Sequence, residues 1–132
     1  MNISEAAQRS GVNAKTIRYY EQVGLIPAAR RGTNGYRTYA EPDVHRLRFI
    51  ARARSLGFSV EAVGDLLDLW HDTCRTSASV RNIAAQHLRD IDAKIADLQR
   101  MRGTLNDLVA RCDGNDRPEC PIIAELSAGY TQ

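Results

Sequence analysis

Asn13-Ala14-Lys15-Thr16-Ile17-Arg18-Tyr19-Tyr20-Glu21-Gln22-Val23-Gly24 starts on a capping residue, continues without Gly or Pro, and stops at a glycine. An Asn side chain accepts from an early helix N–H, and Gly leaves a helix at little conformational cost, so these signals predict a helix from Ala14 to about Val23. Just upstream, Ile3 to Ser10 predicts a shorter helix, with Ser4 as its cap and Glu5 in the first turn, where the dipole favours an acid. Gly11-Val12 is the turn between them. Two short helices across a glycine turn form a helix-turn-helix, whose second helix enters the major groove of DNA. Lys15, Thr16, Arg18 and Tyr19 lie on or beside one face of that helix. Tyr20 has two roles open to it, a phosphate contact or packing.

Downstream, Arg30-Arg31-Gly32-Thr33-Asn34-Gly35-Tyr36-Arg37-Thr38-Tyr39 predicts a hairpin. Asn-Gly is the strongest short hairpin signal, since a type I′ turn needs positive φ at both central residues. Arg31, Tyr36 and Arg37 make it a basic wing suited to the phosphate backbone. Pro42 suits the first position of a third helix, running to about Leu56. Its apolar positions are Val44, Leu47, Ile50 and Ala51, with Arg46, Arg48, Arg52 and Arg54 outward or at the rim. Arg54 joins the candidate DNA-binding set. Gly57 ends this helix, Ser59 and Glu61 start a fourth, and Trp70 is expected to anchor a core or hinge.

Charge is divided along the chain in the same sense. The net charge of +2 hides ten Arg or Lys against four acids in residues 1–54, then eight against twelve in residues 55–132. Sixteen of the eighteen basic residues are Arg, the side chain suited to bidentate phosphate and guanine contacts. A basic first half points to nucleic acid. The 43% hydrophobic and 26% charged content describes a folded soluble chain. No membrane-length apolar run and no signal-peptide pattern is present, so the expected location is the cytoplasm, with reduced thiols and no membrane partner.

From Ser77 to about Ala110 there is no Pro and one Gly, Gly103. Ala84, Ile91, Leu98 and Leu105 recur every seven residues, with Leu88, Ile95 and Val109 on a companion row. Arg102 interrupts that row, and Met101 and Leu108 stand beside it. So long an amphipathic helix needs a partner helix, and an antiparallel homodimer through Leu88, Ile91, Ile95, Leu98 and Leu105 is the economical solution. Beyond it, Cys112-Asp113-Gly114-Asn115-Asp116-Arg117-Pro118-Glu119-Cys120-Pro121 places two thiols on a short loop before a helix of about Pro121 to Ser127. Thiolates favour soft ions, and copper(I), silver(I) and gold(I) accept two sulfurs, whereas zinc normally takes four ligands. Structural thiols or a disulfide remain the alternatives at this point.

The expected fold is therefore mainly α. A winged helix-turn-helix with two supporting helices covers 1–75, a long antiparallel coiled-coil dimerisation helix covers 76–110, and a metal-binding loop, short helix and tail cover 111–132.

The order of parts resembles the MerR family of transcription regulators, and more narrowly its copper-efflux-regulator (CueR/HmrR) subgroup. The matching residues are Ile3-Ser4-Glu5-Ala6-Ala7, Thr16-Ile17-Arg18-Tyr19-Tyr20-Glu21, Gly24-Leu25 and Asn34-Gly35-Tyr36-Arg37-Thr38-Tyr39. Phe49 to Phe58, then Cys112 with Cys120-Pro121-Ile122-Ile123, complete the match. The resemblance implies a homodimer on a dyad promoter whose spacer is too long for RNA polymerase, with metal binding shifting the DNA to a productive shape. It implies copper(I) at Cys112 and Cys120, with silver(I) or gold(I) also possible. In similar divalent-metal members a cysteine opens the dimerisation helix and reaches the partner's loop as a third ligand; here the matching position is Ser77, a poor ligand for a soft ion. Cys74, three residues earlier, is expected to be a loop thiol.

Competing classes fare worse. A copper chaperone would lack a CxxC motif and would leave the basic half unexplained. An iron–sulfur regulator needs four clustered cysteines, and the chain has three. A multidrug sensor would need a further ligand-binding domain. No catalytic triad is present, so an enzyme is not expected. His45, His71 and His87 are scattered over different predicted helices.

Overall fold

The computed structural model describes residues 1–32 and 35–128. The order of elements is α1 (Ile3–Ser10), α2 (Ala14–Gln22), β1 (Arg30–Arg31), β2 (Arg37–Thr38), α3 (Glu41–Ser55), α4 (Val60–His71), α5 (Ser77–Arg111) and α6 (Pro121–Ala128). The chain is mainly helical, as expected. It divides into two compact units, Met1–Ala84 and Ala85–Gln132. The division falls inside α5 because the helix begins against the N-terminal core, with Ile83 packed there.

In the first unit, capping follows the sequence signals with one correction. Asn13 Oδ1 accepts from the Thr16 N–H at 2.8 Å and starts α2. The cap of α1 is Asn2 rather than Ser4: Asn2 Oδ1 accepts from the Glu5 N–H at 2.9 Å, and Ser4 lies inside the helix. Between the helices Gly11 takes φ 77°, a left-handed conformation costly for any residue with a Cβ, and its N–H closes on the Ala7 carbonyl at 2.9 Å. α3 starts at Glu41, placing Pro42 in its first turn, and the Asp43 carboxylate accepts from the Ala40 N–H at 2.8 Å. Ser59 Oγ caps α4 through the Ala62 N–H at 3.1 Å.

The apolar faces of these helices converge on one core. Ala6 of α1, Ile17 and Tyr20 of α2, Leu47 and Ile50 of α3, and Val63 and Leu67 of α4 are all buried in it. Each large aliphatic side chain removed from water there contributes roughly 1.5–3 kcal/mol. Trp70, expected to anchor a core or hinge, is 40% exposed and stacks at 4.5 Å between ring centroids on Phe49, which itself packs against the core. The His71 ring also stacks beside the indole, at 5.3 Å between centroids.

β1 and β2 pair antiparallel, with Arg30 opposite Thr38 and Arg31 opposite Arg37. The Asn34 position of the predicted type I′ turn lies outside the described residues; Gly35 has the positive φ, 80°, which that turn asks for. Tyr39, at the exit of the wing, is 2% exposed. Its backbone bonds Met1 twice, donating to the Met1 carbonyl and accepting from the Met1 amino group, both at 2.7 Å.

The second unit is built differently. α5 runs unbroken to Arg111, a helix on the order of 50 Å long. Within this unit Leu88, Ile95, Leu98, Met101, Leu105 and Val109 are all about half exposed or more, and Ile91 is half-buried. Leu108 alone of the described α5 residues is buried, one turn before the cysteine loop. The loop is followed by α6, whose first residue is Pro121. Among the described residues no helix is long and apolar enough to cross a membrane.

Candidate DNA-binding face and thiol site

The first unit carries a basic groove of about 650 Å³ between the start of α1, the second helix and the wing, lined by Asn2, Ile3, Ser4, Arg18, Arg31, Gly35, Tyr36 and Arg37. Four of the expected DNA-binding residues, Arg18, Arg31, Tyr36 and Arg37, thus share one cavity. Lys15 and Tyr19 are exposed on α2, and Thr16 is half-buried. A helix N-terminal half with a cationic wing beside it presents donors to base edges and phosphates at once.

Two expected contacts are placed differently. Tyr20 is 7% exposed and belongs to the core, so of its two roles packing is the one realised. Its spacing of three from Ile17 puts both on the inner face of α2. Arg54 is exposed, but its Nη1 donates to the Phe58 carbonyl at 2.6 Å and ties down the turn between α3 and α4. This guanidinium is outside the groove's lining.

Behind one lining residue, Arg37, stands an acid that the sequence pattern did not single out. Glu21, in the last turn of α2, has a side chain only 6% exposed. Its Oε1 accepts a hydrogen bond from the Tyr39 hydroxyl at 2.5 Å, and its Oε2 lies 3.6 Å from Nε of Arg37. Burial, then the hydrogen bond to Glu21, push the Tyr39 phenol well above its ordinary range, so it stays a donor. The available signal was an acid in the last turn of a helix, where the macrodipole disfavours one. Such an acid needs a partner, and the wing supplies two.

The second unit holds the thiol site. Cys112 follows the end of α5, and its N–H donates to the Leu108 carbonyl at 3.1 Å. Cys120 precedes α6, and its carbonyl accepts from Ala124 at 3.0 Å. The two sulfurs are 3.7 Å apart, and both cysteines are free thiols. A disulfide has its sulfurs at about 2.05 Å, so this pair is adjacent without being bonded. The N–H groups of Ile123 and then Ile122, with a smaller contribution from Cys112, lower the Cys120 thiol below its ordinary value; partial burial opposes them. The α6 N-terminus therefore favours thiolate at Cys120.

Other expected positions stand as follows. Ser77 is exposed at the start of α5, beside Thr76, whose Oγ1 accepts from the Ser79 N–H at 3.2 Å. Cys74 is exposed in the loop before it, its N–H donating to Asp72 Oδ1 at 2.9 Å. Among the described residues no three His, Cys, Asp or Glu side chains cluster as a metal site.

Residues 1–70 match the model described as MerR HTH family regulatory protein, and residues 44–108 match MerR, DNA binding. The chain belongs to the MerR family. It is 58% identical to the HTH-type transcriptional regulator HmrR of Rhizobium leguminosarum bv. viciae, over 98% of this chain and 99% of that protein. It is 40% identical to the regulator CueR of Salmonella typhimurium, over 96% of this chain and 92% of the relative. Among solved structures, a lead(II) complex of a transcription regulator from Ralstonia metallidurans aligns with TM-score 0.83 at 28% identity, covering 96% of this chain and 98% of that one. Within the MerR family the chain thus groups with the HmrR and CueR regulators. It is a DNA-binding regulator of transcription and not an enzyme.

Proposed function

We propose that this MerR-family protein is a copper(I)-responsive activator, acting as a homodimer on a dyad promoter with a long spacer, in the cytoplasm. Its place among metal-responsive regulators follows from the family and from its HmrR and CueR relatives. The choice of copper(I) rests on one observation: two reduced thiols 3.7 Å apart, one of them biased towards thiolate by a helix start. Two sulfurs and no histidine suit a soft, low-coordinate ion better than zinc, which in closed sites takes four ligands. Cys112 and Cys120 would hold the ion, which would supply a bridge between the end of α5 and the start of α6. The N–H groups of Ile122 and Ile123 offset the surplus negative charge of two thiolates. Ser77 supplies no third sulfur at the head of α5.

The exposed stripe of α5 supports the dimer. Leu98, Met101, Leu105 and Val109, with Arg102 and Asn106, surround a shallow hollow of about 500 Å³ that a second copy of the helix would fill. On DNA, the paired basic grooves hold the promoter, and the metal-loaded dimer favours the deformation that aligns both elements for RNA polymerase.

The test is a titration of transcription from a long-spacer promoter with copper(I), silver(I), gold(I), zinc(II) and mercury(II) under reducing conditions. Activation by copper(I) at the lowest free concentration supports the proposal. A stronger response to gold(I) or silver(I) reassigns the inducer, and a response to zinc(II) alone removes the two-sulfur basis.

A further inference from the structure

We infer that Glu21 is a positioning residue for DNA binding: an acid buried under a basic groove that aims Arg37 at phosphate. This inference rests on the groove's being the DNA-binding face.

Glu21 is out of place by simple electrostatics. It lies in α2, three residues after Arg18, and faces Arg37, both of which line a groove suited to a polyanion. A negative charge there lowers the local positive potential and ought to weaken binding. Its side chain is 6% exposed, so it is not a solvated surface acid, and burying a carboxylate is costly unless it is paired and hydrogen-bonded. Both oxygens are engaged, and both by the wing: Oε1 by the Tyr39 hydroxyl and Oε2 by Arg37 Nε. Each of these is a contact between elements, reaching from α2 across to β2 and its exit.

The geometry assigns the two oxygens different tasks. The bond from Tyr39 fixes the exit of the wing, since the Tyr39 backbone is already held to Met1 on both sides and the ring is buried. The ion pair uses the Nε edge of Arg37. At 3.6 Å the contact is an ion pair rather than a hydrogen bond: it draws the Nε edge of the guanidinium towards Glu21 and leaves the terminal nitrogens available to a ligand. Arg37 retains about a third of its side-chain exposure and lines the groove with Arg18 and Arg31. A long Arg chain held in advance loses less freedom when it meets phosphate. Glu21 thus trades some positive potential for a fixed direction.

The sign of one substitution separates this from a general electrostatic role. Glu21→Gln keeps the size of the side chain and an acceptor for Tyr39, and raises the charge of the groove by one. If Glu21 is merely an acid near DNA, the variant binds more tightly. If Glu21 aims Arg37, it binds promoter DNA about fivefold more weakly, as coupled neighbours do. The slope of log affinity against log salt then becomes shallower by about 0.9, one phosphate contact. In an Arg37→Ala background, Glu21→Gln should no longer weaken binding. Fluorescence anisotropy over a salt series, with the intact protein and a duplex promoter, reads all of these. Thermal melts verify that each variant is folded; should Glu21→Gln unfold, Glu21→Asp, which keeps the charge but draws the carboxylate back from Arg37, is expected to weaken binding in the same direction, and unchanged binding by a folded Glu21→Asp overturns the inference. Tighter binding by Glu21→Gln, or an equal loss in the Arg37→Ala background, overturns the inference. Arg18→Ala serves as the reference: if it too leaves binding unchanged, the groove is not the DNA face; if it weakens binding while Glu21→Gln does not, only the positioning role fails.

Discussion

The two units of this chain bury apolar surface in opposite ways. In Met1–Ala84, Ile17, Leu47, Ile50 and Val63 are completely enclosed by neighbouring elements of the same unit. In Ala85–Gln132, Leu88, Leu98, Met101, Leu105 and Val109 are more than half exposed on one helix. A set of short helices with crossing faces can close a core by itself; a single long helix cannot. The first unit thus closes its own core, while the second leaves an apolar stripe uncovered along one helix. The Arg18, Arg31 and Arg37 groove belongs to the first unit and the Cys112–Cys120 pair to the second.

The comparison is broken most severely by charging the helix seam. Ile91→Asp with Leu98→Asp should abolish the dimer, since each carboxylate would be buried without a partner at a cost on the order of several kcal/mol. Sedimentation should show a monomer that no longer binds a dyad site, with the first unit still folded by its own core. A wild-type monomer, folded at micromolar concentration, would contradict the dimer.

Next in size is the thiol pair. Cys112→Ser and Cys120→Ser each leave one sulfur, so metal-dependent transcription should fall to the metal-free level. Metal-free DNA affinity should stay within about twofold, the range of substitutions remote from a binding face. A matching loss of metal-free binding in either variant would show that the two units are not separable in this way.

Within the first unit, Arg18→Ala should cost about 1–3 kcal/mol and relax sequence preference, as expected for a base contact in the major groove. Arg37→Ala should instead weaken all sequences alike and reduce the salt slope by about 0.9. Competition with scrambled duplexes distinguishes them: equal loss of specificity in both would merge the two roles.

The smallest effect concerns acid–base behaviour. Because N–H groups of α6 lower the Cys120 pKa in the folded chain, thiolate formation stabilises the fold above the unfolded-state pKa. That contribution disappears as pH falls through the folded value. Alkylation of Cys120 in the metal-free protein, followed by mass spectrometry, should therefore show a midpoint below the ordinary thiol range. A midpoint at or above about 8.5 would remove the helix effect.

Much of the fold was legible along the chain because its signals are local. Asn13, Gly11, Gly57 and Ser59 mark helix ends through bonds to residues within a few positions, and the bounds of α2, α4, α5 and α6 fall close to where those signals put them. Ser4 was a wrong cap because Asn2, two residues earlier, offers an equally good acceptor and the chain entered the helix there. Tyr20 and Tyr19 are alike as residue types, and only the packing of α2 on the core distinguishes the buried ring from the one that is 47% exposed. Arg54 likewise reads as one more rim cation, and only the fold shows that its Nη1 also holds the turn at Phe58.

What the sequence alone determined is the order of elements, the basic first half, the unpaired stripe and the presence of two thiols on one loop, all set by spacing and side-chain type. What the tertiary structure decided is which of those groups meet: Glu21 with Tyr39 and Arg37, and Cys112 with Cys120 at 3.7 Å. Periodicity fixes the face of a helix on which a side chain stands. Distance between groups on different elements depends on how those elements pack, and no local pattern carries that information.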